Sequence, residues 1–203
     1  MATRVEVLNG ALGWLGQPPV SSYEDTSTWA KRLVGLYPSV VKALLEQHPW
    51  KFARVMEEME QLTEATGGRD YSYTKPAKCL RICFINNTGD DSDDEWHEYD
   101  DGDGKIHADY DTLFMWFVSS DYIIREGSWP QVFADAVSAE LAFRANPIAS
   151  KDRGMRVDLG EIAQRYLKKA KSWDASQKPF RRNPMGNWAR SRRSGSRYNT
   201  EGN

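Results

Sequence analysis

Apolar residues recur at helical spacing towards both ends of this 203-residue chain and in short strand-like runs between them, and that change of period sets the order of its elements. Val5, Leu8, Leu12 and Leu15 form one amphipathic stripe, which Gly16, Pro18 and Pro19 end. Thr26 or Ser27 can cap a second helix, whose stripe of Trp29, Leu33, Leu36, Val40 and Leu44 runs to about His48. Pro38 lies inside it and predicts a kink or a break near Leu36. Residues 56–62 fit a helical continuation or a strand, and the strand is favoured. Residues 79–85 (CLRICFI), preceded by Pro76, read as a buried strand, and 113–118 (LFMWFV) as another. Residues 96–99 and 106–110 flank Asp101-Gly102-Asp103-Gly104, a tetrad that favours a hairpin turn. A helix resumes near Trp129 and Pro130 on Phe133, Val137 and Leu141, and ends at Asn146-Pro147. Its Ala134, Ala136, Ala139, Ala142 and Ala145 offer small faces for close packing. Asp158 with Glu161 resembles a capping box for a last helix carrying Leu159, Ile162, Tyr166, Ala170 and Trp173.

No strand-helix-strand alternation occurs, so a parallel sheet is not expected. The reading is α+β, mainly α: a bundle of about four helices with a β-rich insert, including a hairpin, between helices 2 and 3 and an extended C-terminal arm. Residues 1–177 form a single domain, with 1–51 and 128–177 as the helical part and 52–127 as the insert, and 178–203 form the arm.

With 40% hydrophobic residues and 8 Trp, wholesale disorder and a fibrous repeat are excluded. No apolar run reaches the roughly 18 to 20 residues of a membrane span, and Arg4, Glu6 and Asn9 interrupt any signal peptide, so no membrane partner or export is expected. Cys79 and Cys83, four apart in an apolar run, suit buried thiols in a reducing compartment better than a disulfide or a zinc site. Trp14, Trp29 and Trp50, in or beside helices, are assigned to packing.

The net charge of -2 hides two opposing blocks. Residues 90–103 hold nine acids and no Lys or Arg, an acidic loop. Residues 178–203 hold seven basic residues against the single acid Glu201. The rest of the chain is nearly neutral, so bulk charge does not choose its partners. The basic segment is too poor in aliphatics to fold alone and is expected to be disordered until bound. Yet Phe180, Met185, Trp188 and Tyr198 are interleaved with its arginines, as anchors would be in a segment that folds on a partner. Arginine with aromatics also suits phosphates and bases, so a nucleic-acid-binding module acting through this arm is the alternative reading.

Catalytic patterns are missing. An EF-hand with Gly104 at its sixth position accepts Asp101 and Asp103 but puts Tyr99 at position one and Tyr110 where the bidentate Glu belongs. His48, His97 and His107 have no HExxH spacing, and no nucleophile elbow, P-loop or dinucleotide fingerprint occurs. Neither an enzyme, a metal nor a cofactor is expected.

Three segments carry a resemblance: residues 12–25 (LGWLGQPPVSSYED), 37–53 (YPSVVKALLEQHPWKFA) and 73–81 (YTKPAKCLR). Together they resemble the head-to-tail connector, or adaptor, proteins of tailed bacteriophages, the group that includes tail tubular protein A. The matching positions are 15–20 in the first segment, Leu44, Leu45, Pro49, Trp50, Phe52 and Ala53 in the second, and Tyr73, Pro76, Cys79, Leu80 and Arg81 in the third. The third departs at Lys75, where the family usually has an apolar residue, and at Lys78, where it often has Asp. The likeness fades across 86–121 and returns loosely in 132–145. It implies a structural virion protein, made in the bacterial host cytoplasm, that forms a ring of about twelve copies at the head-tail junction through heterologous contacts. The ring would join the portal protein to a tail nozzle or other tail protein and continue the channel for genomic DNA. On that reading Phe180, Arg181, Arg182, Trp188, Arg190, Arg192, Arg193 and Tyr198 anchor the arm on the portal. The acidic hairpin, with Asp94, Trp96, Tyr99, Asp101 and Asp103, faces the tail.

Overall fold

The computed structural model describes residues 2–62, 68–90, 98–146 and 153–177. Four helices, α1 (Arg4–Trp14), α2 (Thr28–Glu46), α3 (Gln131–Ala145) and α4 (Arg153–Ser176), accompany two three-stranded antiparallel sheets, a mixed α+β fold. The strands fall between α2 and α3 in chain order. They are β1 (Arg54–Glu58), β2 (Tyr71–Thr74), β3 (Cys79–Asn86), β4 (Asp100–Gly102), β5 (Lys105–Ala108) and β6 (Phe114–Ser119). One sheet has the order β1-β6-β3 and the other β2-β5-β4.

Local chemistry sets the helix ends. A capping box closes the start of α1, the Thr3 hydroxyl accepting from Glu6 N and the Glu6 carboxylate accepting from Thr3 N. Gly16, at a φ of 65°, turns the chain out of it. Ser27 is the cap of α2, its hydroxyl accepting from Ala30 N. This helix does not break at Pro38. Pro38 is exposed, and the Ser39 hydroxyl donates to Leu36 O at 2.8 Å in the turn around it. The last helix is already formed at Arg153, so Asp158 is an exposed residue within it rather than its cap.

Helix α3 is the hub, packing against α1, α2 and α4. Its five small residues Ala134, Ala136, Ala139, Ala142 and Ala145 are all buried and let those neighbours approach closely. Trp50, Phe52 and Trp129 meet Phe133 with ring centroids 4.9, 4.9 and 5.1 Å away, an aromatic cluster that closes the helical core where it meets the sheet. Trp50 is the buried member of the three tryptophans assigned to packing. Trp14 instead remains 38% exposed, with its ring edge against Tyr166. Arg4 pairs with the buried Glu126, which also accepts from the Tyr37 hydroxyl, tying the start of α1 to α2 and to the turn Glu126–Ser128.

Strand β6 separates two cores by its period of two. Met115 and Phe117 face a β-side cluster with Tyr73, Ile85, Ile106 and Leu113, whereas Val118 faces the helices. The 56–62 segment is extended as expected, but its strand starts earlier, at Arg54, and Gln61 then bridges to Tyr73 of the second sheet. Strand β3 is an edge strand and mostly half-buried rather than buried. Its two thiols are accordingly half-buried, with Cys83 packed on the helical core and Cys79 on the β-side core. Burial pushes both thiols up, Cys83 to about 11. The hairpin turns within the expected tetrad, with Asp103 and Gly104 at φ 52° and 71° between β4 and β5. That is the backbone of the favoured two-residue turn, and it puts Ile106 into the core opposite Tyr73.

Gly10 marks the closest approach of α1 and α3. A Cβ there would sit 2.8 Å from Ser138 Oγ, and that hydroxyl is held by the carbonyls of Val7 and Ala134 at 2.9 and 3.0 Å. Gly10→Ala should therefore lose about 1 to 2 kcal/mol in urea unfolding, because with Ser138 held by two carbonyls a clash of about 2 to 3 kcal/mol outweighs a helix-propensity gain of about 1. A variant as stable as the wild type would show that α1 and α3 can separate freely.

Candidate functional site

The last turn of α4, just before residues 178–203, holds a buried polar site. On periodicity Trp173 belongs to the inward stripe of α4, but it is 39% exposed, and the buried residue of that turn is Asp174, at 2%. Its carboxylate accepts from the backbone N of Lys51 at 3.0 Å and lies 3.1 Å from His48 Nε2. The Lys51 ammonium donates to the carbonyls of Asp174 and Ala175, which are orphan acceptors of the last helical turn. Burial lowers the His48 pKa first of all, with Lys171 and Arg81 adding to the effect, while the bond to Asp174 opposes it. Proton affinity is thus set by desolvation, and the imidazole serves as a neutral partner of the carboxylate.

The second resembling segment builds this site. Leu44 and Leu45 end α2 inside the core, and the Trp50 indole N–H donates to Leu44 O at 2.8 Å, folding the chain sharply back. His48 packs its ring edge on Trp50 at 4.7 Å, and the turn Lys51–Ala53 then feeds β1. The third segment meets it there: Arg81 of β3 donates to Glu46 O at 3.0 Å, a cation on the carboxyl end of α2. Segments about 30 residues apart in sequence therefore meet at one joint, which also holds the end of α4.

Phe180, Arg181, Arg182, Trp188, Arg190, Arg192, Arg193 and Tyr198 lie outside the described residues, as do Asp94 and Trp96. The described hairpin residues have individual partners and positions. Tyr99 is half-buried on the β-side core, and burial raises its pKa. Asp101 pairs with Lys75 at 2.6 Å, and Asp103 is an exposed turn residue. Arg69, from outside the acidic block, binds Asp100 at 2.9 Å, Asp109 at 2.6 Å and Glu98 at 3.5 Å. Counting acids along 90–103 misses these cations because they flank β2, 31 and 26 residues before Asp100 and Asp101.

Ser72 and His107 make a cross-strand pair, with the hydroxyl 2.8 Å from Nδ1, but Ser72 is fully buried and cannot meet a substrate as the structure stands. Among the described residues no group of three or more His, Cys, Asp or Glu side chains could hold a metal ion. No helix among them is long and apolar enough to cross a membrane.

Removing the buried Asp174 carboxylate leaves Lys51 N without its acceptor and the His48 imidazole without its partner. Asp174→Ala should cost about 2 to 3 kcal/mol in chemical denaturation. An unchanged midpoint would mean that the joint is held by packing alone. Neither the protein-family models nor the curated proteins compared with the chain give a match.

Proposed function

We propose that the protein is a non-enzymatic adaptor of a tailed-phage virion, forming a ring that joins the capsid portal to the tail and continues the DNA channel. In this reading the helices around α3 are a bundle that makes the ring body, and residues 52–127 are an insert turned towards a tail nozzle or other tail protein. The basic arm reaches the portal. The observation that carries the proposal is the fixed root of that arm. Leu44, Leu45, Trp50, Phe52 and Ala53 of the resembling segment pack the joint, and the intervening His48 and Lys51 bind the end of α4 from which residues 178–203 depart. An arm that must dock a partner in a set direction gains from an immobile origin, since less freedom is lost on binding.

The arm then supplies what a portal surface would recognise: aromatics to bury and arginines for bidentate contacts with carboxylates. Mass photometry of the protein mixed with the portal encoded beside it, at low and moderate salt, should show a ring-sized mass increment. A chain truncated after Gln177 should keep its circular dichroism and lose that increment. Portal binding that survives truncation would contradict the arm's role. Binding to DNA but not to portal, falling steeply with salt through counterion release, would favour the nucleic-acid module instead.

A further inference from the structure

A cleft of about 330 Å³ opens between α1, α3 and α4, away from the joint. Its floor is the close approach of Gly10 and Ser138, its wall is Trp14 edge-on to Tyr166 with centroids 5.8 Å apart, and Glu6 and Asp135 line it as well. Glu6 accepts from Thr3 N at 2.8 Å and Asp135 from Gln131 Nε2 at 2.9 Å. Both bonds are local and neutral, and neither carboxylate has an ion pair among the described residues. Lys169 stands 6.0 Å from the Tyr166 ring centroid, the cation recorded against this wall. Trp14 is eight residues from Glu6 on α1, about 12 Å along the axis, so the cleft offers an aromatic wall and two unpaired carboxylates at separate places, the complement of a segment that carries an aromatic and several arginines a few residues apart.

The chain itself carries such a segment. We propose that in the free protein this cleft holds the chain's own arm, through Trp188 and the arginines Arg190, Arg192 and Arg193. The described chain ends at Gln177, eleven residues after Tyr166 on the same helix, or about 16 Å along its axis. Phe180 to Arg182 are only three to five residues past Gln177, too few to turn back and cover that distance comfortably. Trp188 is eleven residues past it, a reach of up to about 36 Å, and is the first aromatic of the arm beside an arginine cluster to arrive with slack. Tethering at this range gives an effective concentration of the order of millimolar, enough for a modest contact to be mostly formed in one molecule. The portal would then have to draw the arm out of its cleft. The cleft assignment does not depend on the portal reading and fails separately from it.

Limited trypsin digestion of the full chain tests it, because an arginine seated in the cleft cannot enter the protease. Cleavage after Arg190, Arg192 and Arg193, followed by mass spectrometry, should be about tenfold slower in the wild type than in the double variant Glu6→Gln, Asp135→Asn, since cutting tracks the released fraction. Both replacements keep the local acceptors, and Gln preserves the capping box, so the helices should persist. Cleavage at Arg32 on the exposed face of α2 must stay equally slow in both chains, which separates arm release from loss of fold. The slowing should be independent of protein concentration. Equal arm cleavage in the two chains would overturn the proposal, and protection that disappears on dilution would overturn it in favour of the arm of a second copy.

Discussion

One buried carboxylate joins the last helix to the turn that follows α2. Asp174 has its partners 123 and 126 residues earlier, at Lys51 and His48, and these bonds tie the last turn of α4 to the chain after α2. A buried carboxylate is unfavourable unless its oxygens are satisfied, so the chain from the end of α2 to the start of β1 must present a backbone donor and an imidazole there. That requirement explains the sharp turn at His48-Pro49-Trp50. The indole of Trp50 folds under it, bonds Leu44 O, and plugs the helical core against Phe133. Arg81 reaches across from β3 to the end of α2, so the sheet is registered against the helices at the same joint.

What was legible in the residues was whatever repeats. The stripe of Val5, Leu8, Leu12 and Leu15, the alanines of α3 and the apolar run of β6 are local periodic signals, and each element lies close to where its pattern puts it. Failures came where a choice is settled only by distant contacts. Pro38 argues against a continuous helix, yet α2 runs through it on its exposed face. The start of α4 was missed because the Asp158 and Glu161 spacing imitates a cap inside a helix that is already formed.

The site was less legible than the fold for the same reason. Nothing in the spacing of α4 singles out Asp174, which looks like one more solvent-facing acid beside Trp173 until the turn at Lys51 is in place. Among the described residues of the acidic block, Arg69 and Lys75, which flank β2 and lie before the block in sequence, pair with Asp100 and Asp101. Charge read along a chain describes its neighbours in sequence, whereas partners respond to neighbours in space.

The central claim is that the arm leaves from a fixed point, and native-state hydrogen exchange tests it most directly. The amide of Lys51 and the amides of the last turn of α4 should exchange as slowly as those in the interior of α3, since opening any of them requires breaking the joint. Exchange of the last turn of α4 at the rate of a frayed helix end, with α3 still protected, would show that Asp174 holds nothing in place and that the arm has no fixed origin.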